Sequence, residues 1–64
     1  MGNRNTTLTD RCGEGVVSTT YTSSLPPAEH MAAACRAHAD ALDNAGCSTL
    51  ADEYRAVADE LDPQ

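Results

Sequence analysis

PAEHMAAACRAHADALDNAGCSTLADEYRAVADELD, residues 27–62, decides the fold. Apolar residues recur at helical spacing on both sides of Asn44-Ala45-Gly46. Met31, Cys35, His38, Leu42 and Ala45 follow the i, i+4, i+7, i+11, i+14 stripe of an amphipathic helix, widened by Ala34 and Ala41. Leu50, Tyr54, Val57 and Leu61 repeat it, flanked by Ala51 and Ala58. Pro27 suits a first helical position, where no N–H is needed, and Glu29 follows in the first turn, where a carboxylate favours the positive end of the dipole. Gly46 tolerates the left-handed backbone of a helix C-terminus. Ser48 or Thr49 is placed to cap the next helix, with Asp52 and Glu53 in its first turn, and Pro63 ends it. The spacing predicts helices over 27–44 and 48–62. A connection of about four residues makes them antiparallel neighbours. On the first helix, Arg36 and Asp40 are one turn apart and able to pair.

Upstream, residues 16–25 read VVSTTYTSSL. One alternating face is Val17, Thr19, Tyr21, Ser23 and Leu25; the other is almost purely hydroxyl. This is a strand or an extended Ser/Thr linker, and the two readings stand level. Pro26-Pro27 stops it. Residues 1–15, MGNRNTTLTDRCGEG, lack periodicity and read as a flexible tail, which leaves one small domain over 16–64.

The apolar inventory is thin. Of the 41% apolar residues, eleven are alanine, three are cysteine and none is Phe or Trp. Six larger side chains line the helical seam: Met31, Leu42, Leu50, Tyr54, Val57 and Leu61. At about 1.5–3 kcal/mol each, they fall short of the ordering entropy of nearly forty residues at ~1–2 kcal/mol apiece. The expected fold is therefore all-α or mostly α. It is an antiparallel two-helix hairpin with at most a short N-terminal strand, its core completed by self-association or a partner chain. The expected interaction and core face is Met31, Cys35, His38, Leu42, Leu50, Tyr54, Val57 and Leu61.

Charge narrows the partner class. Four arginines and no lysine face ten carboxylates, for a net charge of −6. Arg4, Arg11, Arg36 and Arg55 are scattered, which disfavours a phosphate-binding surface. No nucleic acid is expected as partner. No apolar run reaches the roughly 18–20 residues of a membrane span, and no signal-peptide pattern opens the chain. A cytoplasmic protein is expected by default, and an odd cysteine count without an export signal points to reduced thiols. Absence of lysine with abundant alanine fits a high-GC bacterial or phage genome.

No catalytic or cofactor constellation emerges. Gly13 and Gly15 are an isolated pair, not a phosphate loop. Cys35 and His38 share a helix face one turn apart and are able to ligate one metal ion, but His30 lies about 140° around the helix from Cys35. No CxxC or HxxxH pair occurs, so no bound metal is expected, and His38 reads as a boundary residue with one hydrogen bond. Cys35 and Cys47 lie ~15 Å apart on the helical rise, too far for a disulfide. Cys12 is able to reach either. Cys47, near a helix N-terminus, has the setting of a reactive thiol.

The order strand, helix, turn, helix resembles the ribbon-helix-helix repressors. VVSTTYTSSL, Leu25-Pro26 and GCST before the second helix carry the resemblance, over 16–62. It implies a ribbon made from two chains, inserted in the DNA major groove. The strand lacks the Arg, Lys, Asn and Gln that read bases. The leading expectation is a small acidic helical protein that binds another protein without catalysis, as accessory subunit, scaffold or phage-type inhibitor, and forms a homo-oligomer. A ribbon-helix-helix-like regulator and a metal module on Cys35 and His38 are the alternatives.

Overall fold

The computed structural model describes residues 2–63. Met1 and Gln64, the outer ends of the expected tail and domain, lie outside the described residues. The order is β1 (Arg4–Cys12), β2 (Gly15–Ser23), α1 (Pro27–Asn44) and α2 (Ser48–Leu61). This is an α/β fold, which corrects the expectation of an all-α chain. Both helices stand where their spacing puts them, the second ending one residue early.

The correction falls on residues 1–15. The expected tail is the first strand of an antiparallel hairpin, and the ambiguous segment after it is the second. Arg4 pairs with Ser23, Leu8 with Thr19, Asp10 with Val17 and Cys12 with Gly15. Gly13-Glu14 makes the turn. Gly13 has φ 61° and Glu14 has no positive φ, the pattern of a type II′ turn with glycine at its first central position. Burial alternates along both strands. Thr6, Leu8, Asp10, Cys12, Val17, Thr19, Tyr21 and Ser23 point toward the helices. Asn5, Thr7, Thr9, Ser18, Thr20 and Thr22 point away. The ribbon is made by one chain, unlike the two-chain ribbon that the ribbon-helix-helix resemblance implies.

The α1–α2 corner is a Schellman turn: the Cys47 N–H donates to Leu42 O at 2.8 Å and the Gly46 N–H to Asp43 O at 3.0 Å. Gly46, at φ 91°, supplies the left-handed residue. Cys47, rather than Ser48 or Thr49, takes the N-cap of α2, and no side-chain cap bond forms. The helices run antiparallel. Arg36, midway along α1, pairs with Asp59 near the end of α2 and with Asp62 just beyond it, and Arg55 pairs with Asp43 at 2.6 Å and Asp40 at 3.2 Å. Arg36 thus reaches across to α2 and leaves Asp40 to Arg55. These bridges are largely exposed, so solvent screens them and they add little to stability.

The core is small-residue packing. Ala32, Ala39, Leu42, Ala51 and Ala58 are fully buried. Alanine at these facing positions lets the helix axes approach. Leu8 and Tyr54 close one end over Ala32, Cys35 and Ala58; Val17, Leu50 and Tyr54 close the other over Ala39, Leu42 and Ala51. The cover that the helices lack comes from the chain's own hairpin.

Candidate functional site

α1 buries an unusual pair of side chains. His30 is 2% exposed and His38 is 0% exposed. Each bridges both strands. His38 Nε2 lies 2.8 Å from Asp10 Oδ2 on β1, and its Nδ1 lies 2.9 Å from Thr19 Oγ1 on β2. A carboxylate only accepts, so Nε2 carries the proton, and in the neutral ring the Thr19 hydroxyl donates to Nδ1. Tyr54 from α2 donates its hydroxyl to the same Asp10 oxygen at 2.5 Å. Its ring meets His38 edge-on at 4.8 Å.

His30 repeats the device one step up the hairpin. Its Nε2 is 2.8 Å from Thr6 Oγ1 and its Nδ1 is 2.6 Å from Ser23 Oγ. Tyr21 packs against the ring at a centroid distance of 5.3 Å. The spacing has a simple cause. Eight residues of helix rise about 12 Å, and four residues of strand about 13 Å. His30 to His38 therefore matches Thr6 to Asp10 and Ser23 to Thr19. Among the described residues no buried side-chain N or O lacks a partner.

Charge in this network is settled by its bonds. The Tyr54 hydroxyl, then His38, hold the Asp10 carboxyl below its usual range. In return the carboxylate, aided by burial, pushes the Tyr54 phenol up to about 12. Burial also raises the Cys35 thiol. Thr19, His38 and Asp10 make a hydroxyl–imidazole–carboxylate line, the composition of a nucleophilic triad. Thr19 faces the sheet–helix interface, however, and lines neither surface depression. The line cross-braces three elements; its hydroxyl meets no substrate-sized space.

The expected interaction face divides in two. Cys35, His38 and Leu42 are buried and Met31 is partly buried, because α1 lies between hairpin and α2. His30, expected off this face, is inside for the same reason. On α2 the inward direction is that of Ala51, Tyr54 and Ala58. Leu50 is only partly buried, while Val57 and Leu61 are exposed at 44% and 39%. These three form an apolar strip along the flank of α2. A shallow groove of about 270 Å³, lined by Asp10, Leu50, Glu53, Tyr54 and Val57, runs between the strip and β1. A second, more polar depression of about 380 Å³ has Arg4, Thr6, Pro27, His30 and Met31 among its walls.

The surface is electrically two-sided. Glu29, Asp40, Asp43, Asp52, Glu53, Asp59, Glu60 and Asp62 all lie on the helical layer, where Arg36 and Arg55 are engaged with five of them. The outward hairpin face is mostly hydroxyl, with Thr7 to Thr20 and Thr9 to Ser18 each 3.2 Å apart across the strands, and Arg11 beside the exposed Val16 at its turn end.

Cys12 and Cys47 form a disulfide, with α-carbons 6.0 Å apart and a sequence separation of 35. This corrects the expectation of three reduced thiols and removes Cys47 as a reactive group. In a tail Cys12 is free to reach either cysteine; as the last residue of β1 it lies against the α1–α2 corner, beside Cys47. Cys35 is the free thiol and is buried. Both His38 nitrogens are spent on Asp10 and Thr19, so His38 does not turn toward Cys35. No cluster of three metal-ligating side chains occurs among the described residues. None of their helices is long and apolar enough to cross a membrane. No protein-family model, curated protein or solved structure matches the chain.

Proposed function

We propose that the chain is a non-catalytic interaction module that binds another protein through the flank of α2. One observation carries this: a protein so short of large apolar residues leaves Val57 and Leu61 exposed on one flank of α2, in line with the half-buried Leu50 and beside a groove. Burying those side chains inside would have stabilised the fold by about 1.5–3 kcal/mol each. Their alignment on one flank marks a surface that awaits cover. The polar chemistry points the same way. His38, Asp10 and Tyr54 are spent on one another and His30 on Thr6 and Ser23, and the groove is lined by no serine, cysteine or histidine.

The acidic helical layer argues for a protein rather than a nucleic acid as partner. The cytoplasmic expectation is a default drawn from the lack of a recognisable targeting pattern, with reduced thiols as its companion. A Cys12–Cys47 disulfide withdraws that companion, because such bonds persist in oxidising surroundings. The test is affinity capture from the native host with the wild-type chain and Val57→Glu in parallel. The proposal expects a defined protein retained by the first and lost from the second. Equal retention by both would overturn it.

A further inference from the structure

The sheet is too narrow for its helices. Two strands place their axes about 4.8 Å apart, whereas two packed helices need about 8–10 Å. α1 takes the available sheet and packs on both strands, while no α-carbon of α2 comes within 8 Å of either. α2 reaches β1 through side chains: Tyr54 bonds to Asp10, and Leu8 packs on the cluster that Ala58 shares with Ala32 and Cys35. It therefore overhangs the outer edge of β1. The groove lined by Asp10, Leu50, Tyr54 and Val57 is the space beneath the overhang.

That edge carries unused hydrogen-bonding groups. The tight turn makes Cys12 and Gly15 a hydrogen-bonded pair. Alternation then turns the N–H groups of Leu8 and Asp10 toward β2, and those of Asn5, Thr7, Thr9 and Arg11 outward. Their side chains lie on the hydroxyl face, so nothing of their own covers the edge. Natural edge strands are usually blunted by charged residues, proline or a bulge; β1 has no lysine, proline or bulge over Arg4–Cys12, its arginines stand near the two ends of the strand, and the inward charge of Asp10 is spent on His38 and Tyr54.

We propose that this edge takes a third strand: an extended segment of the partner protein that pairs with β1 and slides under α2. The inference rests on the reading of the chain as a protein-binding module and names how the partner is held. Main-chain bonds to Thr7 and Thr9 supply the pairing, and alternate apolar side chains of the segment cover Leu50, Val57 and Leu61. Glu53 and Glu60 border the strip and form no ion pair among the described residues. The segment therefore carries lysine or arginine at the ends of its inward face.

A second copy does not fit this place. Two β1 edges paired antiparallel about a two-fold axis put all four helices on one face. Four helices span about 27 Å between outer axes, and four strands only about 14 Å. Each α2 would occupy its neighbour's position. The occupant is a strand without helices of its own on that face.

The probe is the synthetic peptide Lys-Thr-Val-Thr-Val-Thr-Val-Thr-Lys, titrated into the isotope-labelled chain. Two controls are the same peptide with Glu for Lys and an alanine-rich helical peptide with a leucine stripe and equal positive charge. Expected are saturable binding of the first peptide, new exchange protection at the Thr7 and Thr9 amides, and weaker binding of the glutamate form. Val57→Glu, at an exposed position, should weaken binding roughly tenfold or more, and Thr9→Pro should abolish it. If only the helical peptide binds, with α2 shifted and Thr7 and Thr9 unprotected, strand addition is wrong and the protein-binding reading stands. Failure of the extended peptide to bind at millimolar concentration also overturns strand addition. The capture experiment with Val57→Glu then judges the broader reading by itself.

Discussion

Asp10 and His38 are 28 residues apart in sequence, yet the carboxylate of one accepts the Nε2 proton of the other at 2.8 Å beneath a fully buried ring. The pair joins β1 to α1, and Tyr54 ties α2 to the same oxygen. Three of the four elements thus converge on one carboxylate. Asp10→Ala leaves a buried imidazole N–H without an acceptor. The expected loss is about 1–3 kcal/mol in urea unfolding. The exposed Thr9→Ala on the same strand should change stability by less than about 0.5 kcal/mol.

Both ends of the pH range follow from this carboxylate. Its pKa is lower folded than the ordinary 3.8. The stabilisation it brings is present above 3.8 and is lost as pH falls through the folded value. Tyr54 is the opposite case. Its pKa rises from 10.0 to about 12. Its contribution is complete below 10.0 and disappears as pH rises through about 12. Phenolate absorbance should show a late step near 12 that Tyr54→Phe removes. Thermal unfolding should lose its acid dependence most in Asp10→Asn.

The disulfide closes a loop of 35 residues. Loop closure of that length stabilises by about 3–4 kcal/mol. Reduction, or Cys12→Ser with Cys47→Ser, should lower stability by that order. The native oxidised protein should resist alkylation, since Cys35 is buried and its thiol pushed up. Urea should expose one reactive thiol, and urea with reductant three.

Leu42 and Leu61 were expected to share one seam, and they differ. Leu42 is 0% exposed and Leu61 39%. Leu42→Ala should cost about 2–5 kcal/mol, and Leu61→Ala under about 1 kcal/mol. Equal losses, measured by chemical denaturation, would show α2 rotated from the orientation described.

The helices were legible because their signals are local. Pro27 starts one, Gly46 ends it, and the i, i+4, i+7 stripes lie between. β1 was not legible from its hydropathy. Its inward row, Thr6, Leu8, Asp10 and Cys12, holds one large apolar residue, and its polar members are satisfied by histidines more than twenty residues away. Two signals were present. CGEG places glycine at the first position of a tight turn, and two threonine-rich stretches of equal length flank it. His38 was read as a boundary residue with one hydrogen bond because its partners, Asp10 and Thr19, lay in segments read as tail and as strand or linker. The division of the α2 stripe into Tyr54 inside and Leu50, Val57 and Leu61 outside depends on where the hairpin sits, which helix periodicity does not encode.

Amide hydrogen exchange of the free protein, resolved by residue, tests the central claim most directly. The account predicts slow exchange at Leu8 and Asp10, whose N–H groups face β2, and fast exchange at Asn5, Thr7 and Thr9 on the open edge beneath α2. Fast exchange throughout residues 4–12 would contradict the strand itself. Slow exchange at Thr7 and Thr9 in the free protein would contradict the open edge.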